Sequence, residues 1–414
     1  MSLYCKNKLF IDEIIEYNKT EKIDWQAFLS ETCANQQVKI TINYFRNMKN
    51  YYWIGARQSD IANEEIFRGS ITKFGETSKN NLSFNLSRDT YSEKDYLFFL
   101  CDSINKVVEA DCNAVFVFSN PLTAYKMPEQ IIERCECLND RSLVNALNDK
   151  FFVRQFLSDV CKMPPYIILN GKLVLEPNLI KTIFSNKYNS FVVQKAIGGG
   201  GRKSFLLNKE IELLLTEDYL ITPFLVPNIP LNVHCIIYSN DILILPPSMQ
   251  LIVNNFNYIG ADFFISSFFS FEQKNALYNY AYKICKRLQK LNVKGLIGLD
   301  FLFYNNDFLF LESNFRFQGS SFLLNKGLNQ VNSSLYKLVI NSFQHSICQI
   351  DKKIYFSDID LSFIKITSDV NISIPFDPIA INYDGFDHLK DTTNCNYKYN
   401  MVYDKSIITL LSSN

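Results

Sequence analysis

The sequence predicts an open α/β region followed by a mixed α+β region, and three observations carry that reading. Early apolar runs rich in β-branched residues alternate with stretches of helical spacing. Two long apolar runs flank the turn-forming Asn305-Asn306-Asp307, which is the pattern of a β-hairpin. Four consecutive glycines separate two further strand-like runs.

The elements follow in chain order. Residues 38–43 and 114–118 read as strands, with a helix over 96–108. Residues 51–60 combine aromatic and polar side chains; they read as a structured turn, with a ligand-facing role as the alternative. Asn148 or Asp149 caps a helix over 150–157, and Pro164-Pro165 follow its end. Lys150 sits in the first turn, where its charge opposes the helix dipole; a nearby anion would remove that penalty. On its own it reads as a solvated surface lysine. Runs at 231–237 and 241–245 form a hairpin around Ser239-Asn240; Asn232 and His234 share one strand face and read as a satisfied core or surface pair, with contact to phosphate or substrate as the alternative. Leu277, Ala281, Ile284 and Leu288 mark one amphipathic helix over 271–291, capped by Ser270. Beyond residue 345 only short β-like runs occur, at 371–374 and 405–410.

The chemistry concentrates in the hairpin. If its turn centres on Asn306, Asp300 faces Glu312, and Asn314 shares the face of Glu312. Facing carboxylates repel and cost stability unless a cation lies between them. Oxygen donors without Cys or His select Mg²⁺, with Mn²⁺ as second choice; carboxylates on a solvent-facing or edge strand position are the alternative. Arg316, two residues further on, places a fixed positive charge beside whatever anion the metal holds. Upstream, a strand ends at Lys195 and is followed by Gly198, Gly199, Gly200 and Gly201, then Arg202-Lys203. Backbone amides in such a run can turn toward a phosphate. A flexible hairpin turn is the alternative. The run lacks the Gly-Lys-Ser/Thr order of a P-loop.

Composition narrows the field. The 42 basic and 42 acidic residues cancel, so no basic face for nucleic acid is announced. Only three histidines are present, against a histidine zinc site, and the 11 cysteines lack paired metal spacing and fit reduced thiols in a cytoplasm. The first residues lack a signal-peptide pattern and no apolar run of about 18 residues occurs, so no membrane span is expected.

In this order, Lys150, Lys195, Gly198 to Gly201, Asp300, Glu312 and Asn314 resemble the ATP-grasp superfamily of carboxylate–amine ligases. The run Asn314, Arg316, Gln318, Gly319-Ser320-Ser321 is similar to the ending seen in its peptide-ligase branch. The resemblance spans roughly residues 115 to 325. It implies an N-terminal open α/β pre-ATP-grasp domain (1–145) followed by a two-lobed ATP-grasp fold. That fold would have a small lobe (146–223) and a large lobe (224–345), with an appended segment (346–414) that leaves a lid or a homodimer contact open. It implies ATP and Mg²⁺, phosphate contacts from Lys150, Lys195 and the glycines, and adenine near Phe224 and Leu225. Metal ligation falls to Asp300, Glu312 and Asn314, and catalytic charge to Arg316 and Lys195. The implied reaction joins small-molecule carboxylate and amine substrates, an amino acid or peptide among them, through an acylphosphate with release of ADP. A thiol or water as acceptor fits the same site. One departure stands out: residues 219–225, where the family carries a ribose-binding glutamate, hold no carboxylate, and Pro223 removes a backbone donor. That departure favours the alternative, a non-catalytic ATP-binding regulatory or scaffold protein.

Overall fold

In the computed structural model, the described residues run from 49 to 407. The exceptions are 62–63, 76, 85–91, 170–172, 176, 198–203, 208–210, 214–217, 254–255, 266–267, 350–358, 367–379 and 384–398. The strand expected at 38–43, the runs at 371–374 and 408–410, and the four glycines lie outside them. The chain divides into two compact units, Met1–Asn50 and Tyr51–Asn414, and every described residue except 49 and 50 belongs to the second.

Among the described residues a five-stranded sheet comes first, in the order Asn81–Ser83, Phe67–Phe74, Asn50–Arg57, Ala114–Phe118, Cys135–Glu136. The pairs whose register is defined are parallel. Ile54, Ile71 and Phe116 meet Tyr96, Leu100 and Ile104 of the helix Glu93–Ala110, an apolar stripe of helical period on a sheet. Residues 51–57 are therefore strand, followed by a 3₁₀ turn at Gln58–Ile61, which corrects the expectation of a turn. Trp53 is 1% exposed and packs edge-on to Phe317 and Tyr336; that burial, rather than a ligand, accounts for the aromatic run.

An antiparallel sheet follows, in the order Ile167–Leu169, Tyr219–Pro223, Phe191–Lys195, Ser204–Leu207, over its own core of Ile180, Phe184, Val193, Leu207 and Ile221. The glycine run thus connects two paired strands, Phe191–Lys195 and Ser204–Leu207.

Among the described residues the largest sheet has nine strands. Asp307–Asn314 is at one edge, next to Gly295–Tyr304, then Ile229–Ile237, Ser248–Val253 and Asn257–Asp262. Ser362–Ile366, Tyr399–Tyr403 and Ala380–Tyr383 continue the same sheet, so residues of the C-terminal segment pair directly with it. Period-two alternation gives this sheet two different faces. Leu231, Val233, Cys235, Ile297, Leu299 and Phe301 turn to the helix Phe271–Gln289, whose Ser270 forms a capping box with Gln273. On the other face Ile236 and Leu296 pack under the helices Ser321–Asn329 and Leu335–Gln344. Between them that face is polar, and there the candidate site lies.

Candidate active site

The hairpin turns on Asn305 and Asn306, both in the left-handed region (φ 49° and 61°), a conformation asparagine tolerates and a two-residue hairpin turn requires. Tyr304 therefore pairs with Asp307, and the ladder runs through Phe303–Phe308 and Leu302–Leu309 to Phe301–Phe310. This register, continued, would set Asp300 opposite Leu311. Instead the strand bulges, and Asp300 pairs with Glu312. The pairing read from the sequence is reached by a different route, since the turn is not centred on Asn306.

The bulge has a second consequence. Phe308 and Phe310 pack into the apolar core with Phe301, whereas Glu312 pairs with Asp300 on the polar face. In an unbroken strand, residues two apart share a face and all three would point the same way. The extra residue, Leu311, is what separates core from site.

Cross-strand pairing then aligns a polar row over four strands: Glu312 opposite Asp300, Asp300 opposite Asn232, Asn232 opposite Ser248. Asp300 Oδ1 accepts from Asn232 Nδ2 at 2.7 Å and from Gln250 Nε2 at 2.9 Å. Asn232 also donates to Gln318 Oε1 at 3.0 Å. Gln318 can reach this place because residue 298 is glycine; a Cβ there would lie 1.6 Å from Gln318 Oε1. His234 shares a hydrogen bond of 3.0 Å with Ser321 Oγ, which accepts from the Gln318 backbone N–H at 2.8 Å. Burial pushes the His234 imidazole down to about 3, so it is neutral at physiological pH. Asn232 and His234 are not the satisfied pair expected, because Asn232 Oδ1, His234 Nδ1 and the adjacent Ser248 Oγ are buried without hydrogen-bond partners among the described residues.

The expected metal ligands converge. Asn314 Nδ2 donates to Asp300 Oδ2 at 2.9 Å and lies 3.4 Å from Glu312 Oε1, so an amide NH₂ sits between the two carboxylates. Asn314 Oδ1 accepts from Arg316 Nη2 at 2.9 Å. A positive dipole thus lies where a cation would bind, and the set fits a hard cation once the amide turns its oxygen inward. Among the described residues no group of three or more His, Cys, Asp or Glu is placed to hold a metal ion. Two carboxylates and an amide suit Mg²⁺, which keeps waters and takes substrate oxygens for the rest.

Lys150 departs from the solvated-lysine expectation. It is 7% exposed, opens the helix Lys150–Phe156 behind the Asp149 cap, and forms an ion pair with Glu312 Oε2. Its own N–H donates to Ala196 O at 3.0 Å, tying the helix start to the entrance of the glycine run. Burial works against ionisation of Glu312, but the Lys150 charge and hydrogen bond, with Arg316 and Asn314, hold its carboxyl below the usual range. Asp300 moves the other way: burial, then the charge of Glu312, push it up to about 7. A carboxyl must lose its proton to bind a cation, so metal affinity should fall as the pH drops through 7. Mg²⁺ titration by calorimetry is expected to give about tenfold weaker binding at pH 6 than at pH 8; equal affinities would contradict the expectation that Asp300 is a ligand.

Sequence reasoning missed Arg154, one helical turn beyond Lys150. It is 1% exposed, its Nε–H donates to Leu311 O at 3.3 Å, and its guanidinium lies 5.5 Å over the Tyr166 ring. Burial lowers its pKa only to about 10, so it stays charged. The available signal was its spacing, which puts a charge on the buried face with Phe151 and Val153. Lys195 ends its strand as expected, its Nζ 5.8 Å from the Tyr219 ring centroid. The Phe224 N–H donates to Ser190 O at 2.8 Å, and Leu225 O accepts from Asn228, so both of these backbone groups already have protein partners. No carboxylate stands at Tyr219–Pro223.

Residues 147–320 match the ATP-grasp domain, and the matched stretch contains Lys150, Lys195 and the whole Glu312–Asp300–Asn232 row. The chain carries an ATP-grasp domain. Solved structures agree on the fold beyond that stretch. The biotin carboxylase of Campylobacter jejuni, solved as a beta-gamma-ATP complex, superposes with a TM-score of 0.62 at 13% identity, over 86% of this chain and 87% of that one. The biotin carboxylase domain of Hydrogenobacter thermophilus 2-oxoglutarate carboxylase, solved with MgADP, ADP and bicarbonate, gives 0.60 at 11% identity, over 86% of each chain. N5-carboxyaminoimidazole synthetase from Staphylococcus aureus, solved with ADP, gives 0.56 at 12%, over 88% and 96%. No curated protein sequence matches the chain. Among the described residues no helix is long and apolar enough to cross a membrane.

Proposed function

We propose that this protein is an ATP-dependent ligase that joins a carboxylate to an amine and releases ADP and phosphate. The observation that carries the reading is the convergence of Asp300, Glu312 and Asn314 between Lys150 and Arg316 on the polar face of the ATP-grasp sheet. Asp300, Glu312 and the turned Asn314 oxygen would hold Mg²⁺, or Mn²⁺ as second choice. Bound there, the metal supplies charge neutralisation for phosphate oxygens.

The chain's own groups do the remaining work. Lys150 and Lys195 bind and orient the ATP phosphates, and Gly198 to Gly201 offer backbone amides to them. The segment around Phe224 and Leu225 takes the adenine. A substrate carboxylate oxygen attacks the γ-phosphorus as the bond to ADP breaks, giving an acylphosphate. The amine then attacks the acyl carbon, phosphate departs with the bonding electrons, and the amine proton is lost. Arg316 stabilises the charge that builds on the transferred group. No protein nucleophile is needed. The peptide-ligase-like ending Asn314 to Ser321 favours an amino acid or small peptide as substrate; bicarbonate, present in the Hydrogenobacter structure, is the alternative carboxylate. A second reading, a non-catalytic nucleotide-binding module, is favoured by the absence of a hinge carboxylate at Tyr219–Pro223.

Incubation with Mg-ATP and pooled amino acids, dipeptides, bicarbonate and amines decides between these. A ligase gives substrate-dependent ADP and a new mass equal to the two substrates minus water. Saturable ATP binding with no product from any pool supports the module. Lys195→Ala should weaken ADP binding about tenfold with little change in melting temperature; undiminished affinity would show that Lys195 does not reach the nucleotide.

A further inference from the structure

We infer that Arg154 is a positioning residue for the cation site: it pins the Leu311 bulge, and so keeps Glu312 on the face of Asp300 instead of in the core. The inference rests on the reading of Asp300 and Glu312 as cation ligands.

A fully buried guanidinium is costly, and an apolar side chain of similar volume would serve packing as well or better. Arg154 is nonetheless 1% exposed, on a helix face shared with Phe151 and Val153. Its Nη1 is buried without a hydrogen-bond partner among the described residues, so local satisfaction does not explain its retention. Its position does. The Nε–H bond goes to the carbonyl of Leu311, the one residue that the ladder between Gly295–Tyr304 and Asp307–Asn314 leaves unpaired between Phe310 and Glu312. A bulge costs ladder hydrogen bonds and can slide along its strand. Sliding it by two residues toward Asn314 would put Glu312 on the face of Phe308 and Phe310. A charge-assisted bond to the extra residue opposes that movement.

The helix Lys150–Phe156 therefore engages this strand twice, one turn apart. Lys150 meets the Glu312 carboxylate directly, and Arg154 holds the backbone immediately before it. Lys150 is also assigned to the phosphates, so it cannot serve both groups once nucleotide binds. Arg154 touches neither carboxylate nor nucleotide, and its hold on the bulge is unaffected by that exchange. The Tyr166 ring, its centroid 5.5 Å from the guanidinium, adds a cation–π contact.

The test uses ADP affinity by calorimetry with and without Mg²⁺, on the full chain, beside melting temperatures. The wild type should bind ADP more tightly with Mg²⁺. Arg154→Met, which removes both the bond and the charge, should lose about tenfold of that Mg²⁺-dependent gain, as supporting residues around metal sites do, while binding ADP normally in EDTA. Arg154→Lys should recover most of the gain, since an ammonium can still reach the carbonyl. If Arg154→Met does not fold, Arg154→Gln is read in its place, with a loss of a few fold expected. An undiminished gain in the folded Met variant, or in Gln where Met fails, overturns the inference. Absence of any Mg²⁺-dependent gain in the wild type instead overturns the underlying reading of Asp300 and Glu312.

Discussion

Glu312→Gln is expected to lower Mg-ATP turnover at least about 10³-fold, about 4 kcal/mol of transition-state stabilisation. Glutamine keeps the shape but loses the charge that faces Asp300 and would bind the cation. The same change leaves Lys150, 8% exposed at its side chain, without its carboxylate. Isolating a buried charge is destabilising, and because the Glu312 side chain is itself 20% exposed the cost is held to about 2 kcal/mol. The two effects separate in a double variant. Lys150→Met with Glu312→Gln should regain most of the melting temperature and none of the turnover. Wild-type turnover in Glu312→Gln, measured as ADP release, would remove the metal assignment.

Gly298→Ala is expected to cost about 10²-fold in turnover with less than about 1 kcal/mol in stability. The added Cβ would lie 1.6 Å from Gln318 Oε1 and 2.3 Å from its Cδ. These atoms end a flexible side chain, so Gln318 moves aside and the backbone stays. Its bond with Asn232 is then lost, and Asn232 is freed to turn away from Asp300. The damage should pass entirely through Gln318. Gly298→Ala combined with Gln318→Ala is therefore expected to be no worse than Gln318→Ala alone, by kcat and KM of each variant. Additive losses would show that the methyl group acts on something else.

Much of this site is legible in the sequence because strand geometry turns spacing into facing. Asp300, Glu312 and Asn314 are found by counting from an asparagine turn, whereas Lys150 on its own reads as a solvated lysine and enters the site only through the family resemblance. The bulge is not legible. Phe308, Phe310, Glu312 and Asn314 are evenly spaced by two, and nothing in the residue at 311 marks it as the extra one. A symmetric turn on Asn306 and a two-residue turn with a bulge set the same carboxylates opposite one another, but only the second sends Phe308 and Phe310 to the opposite face from Glu312. The strand Asn50–Arg57 was hidden for another reason. Its mixed aromatic and polar residues read as a structured turn, or as a ligand surface, until Phe317 and Tyr336, far along the chain, are seen to cover Trp53. Arg154 escapes because its only signal, a charge at the spacing of the buried helix face, gains meaning once the strand behind it is placed.

The most direct test of the central claim is oxygen transfer. The carboxylate pool, bicarbonate included, is labelled with ¹⁸O and incubated with Mg-ATP, amines and the wild-type protein, and the released phosphate is examined by mass spectrometry. Attack of a carboxylate on the γ-phosphorus predicts that one ¹⁸O from the substrate appears in each phosphate released. Phosphate that takes its new oxygen from water instead would contradict an acylphosphate and with it the ligase assignment.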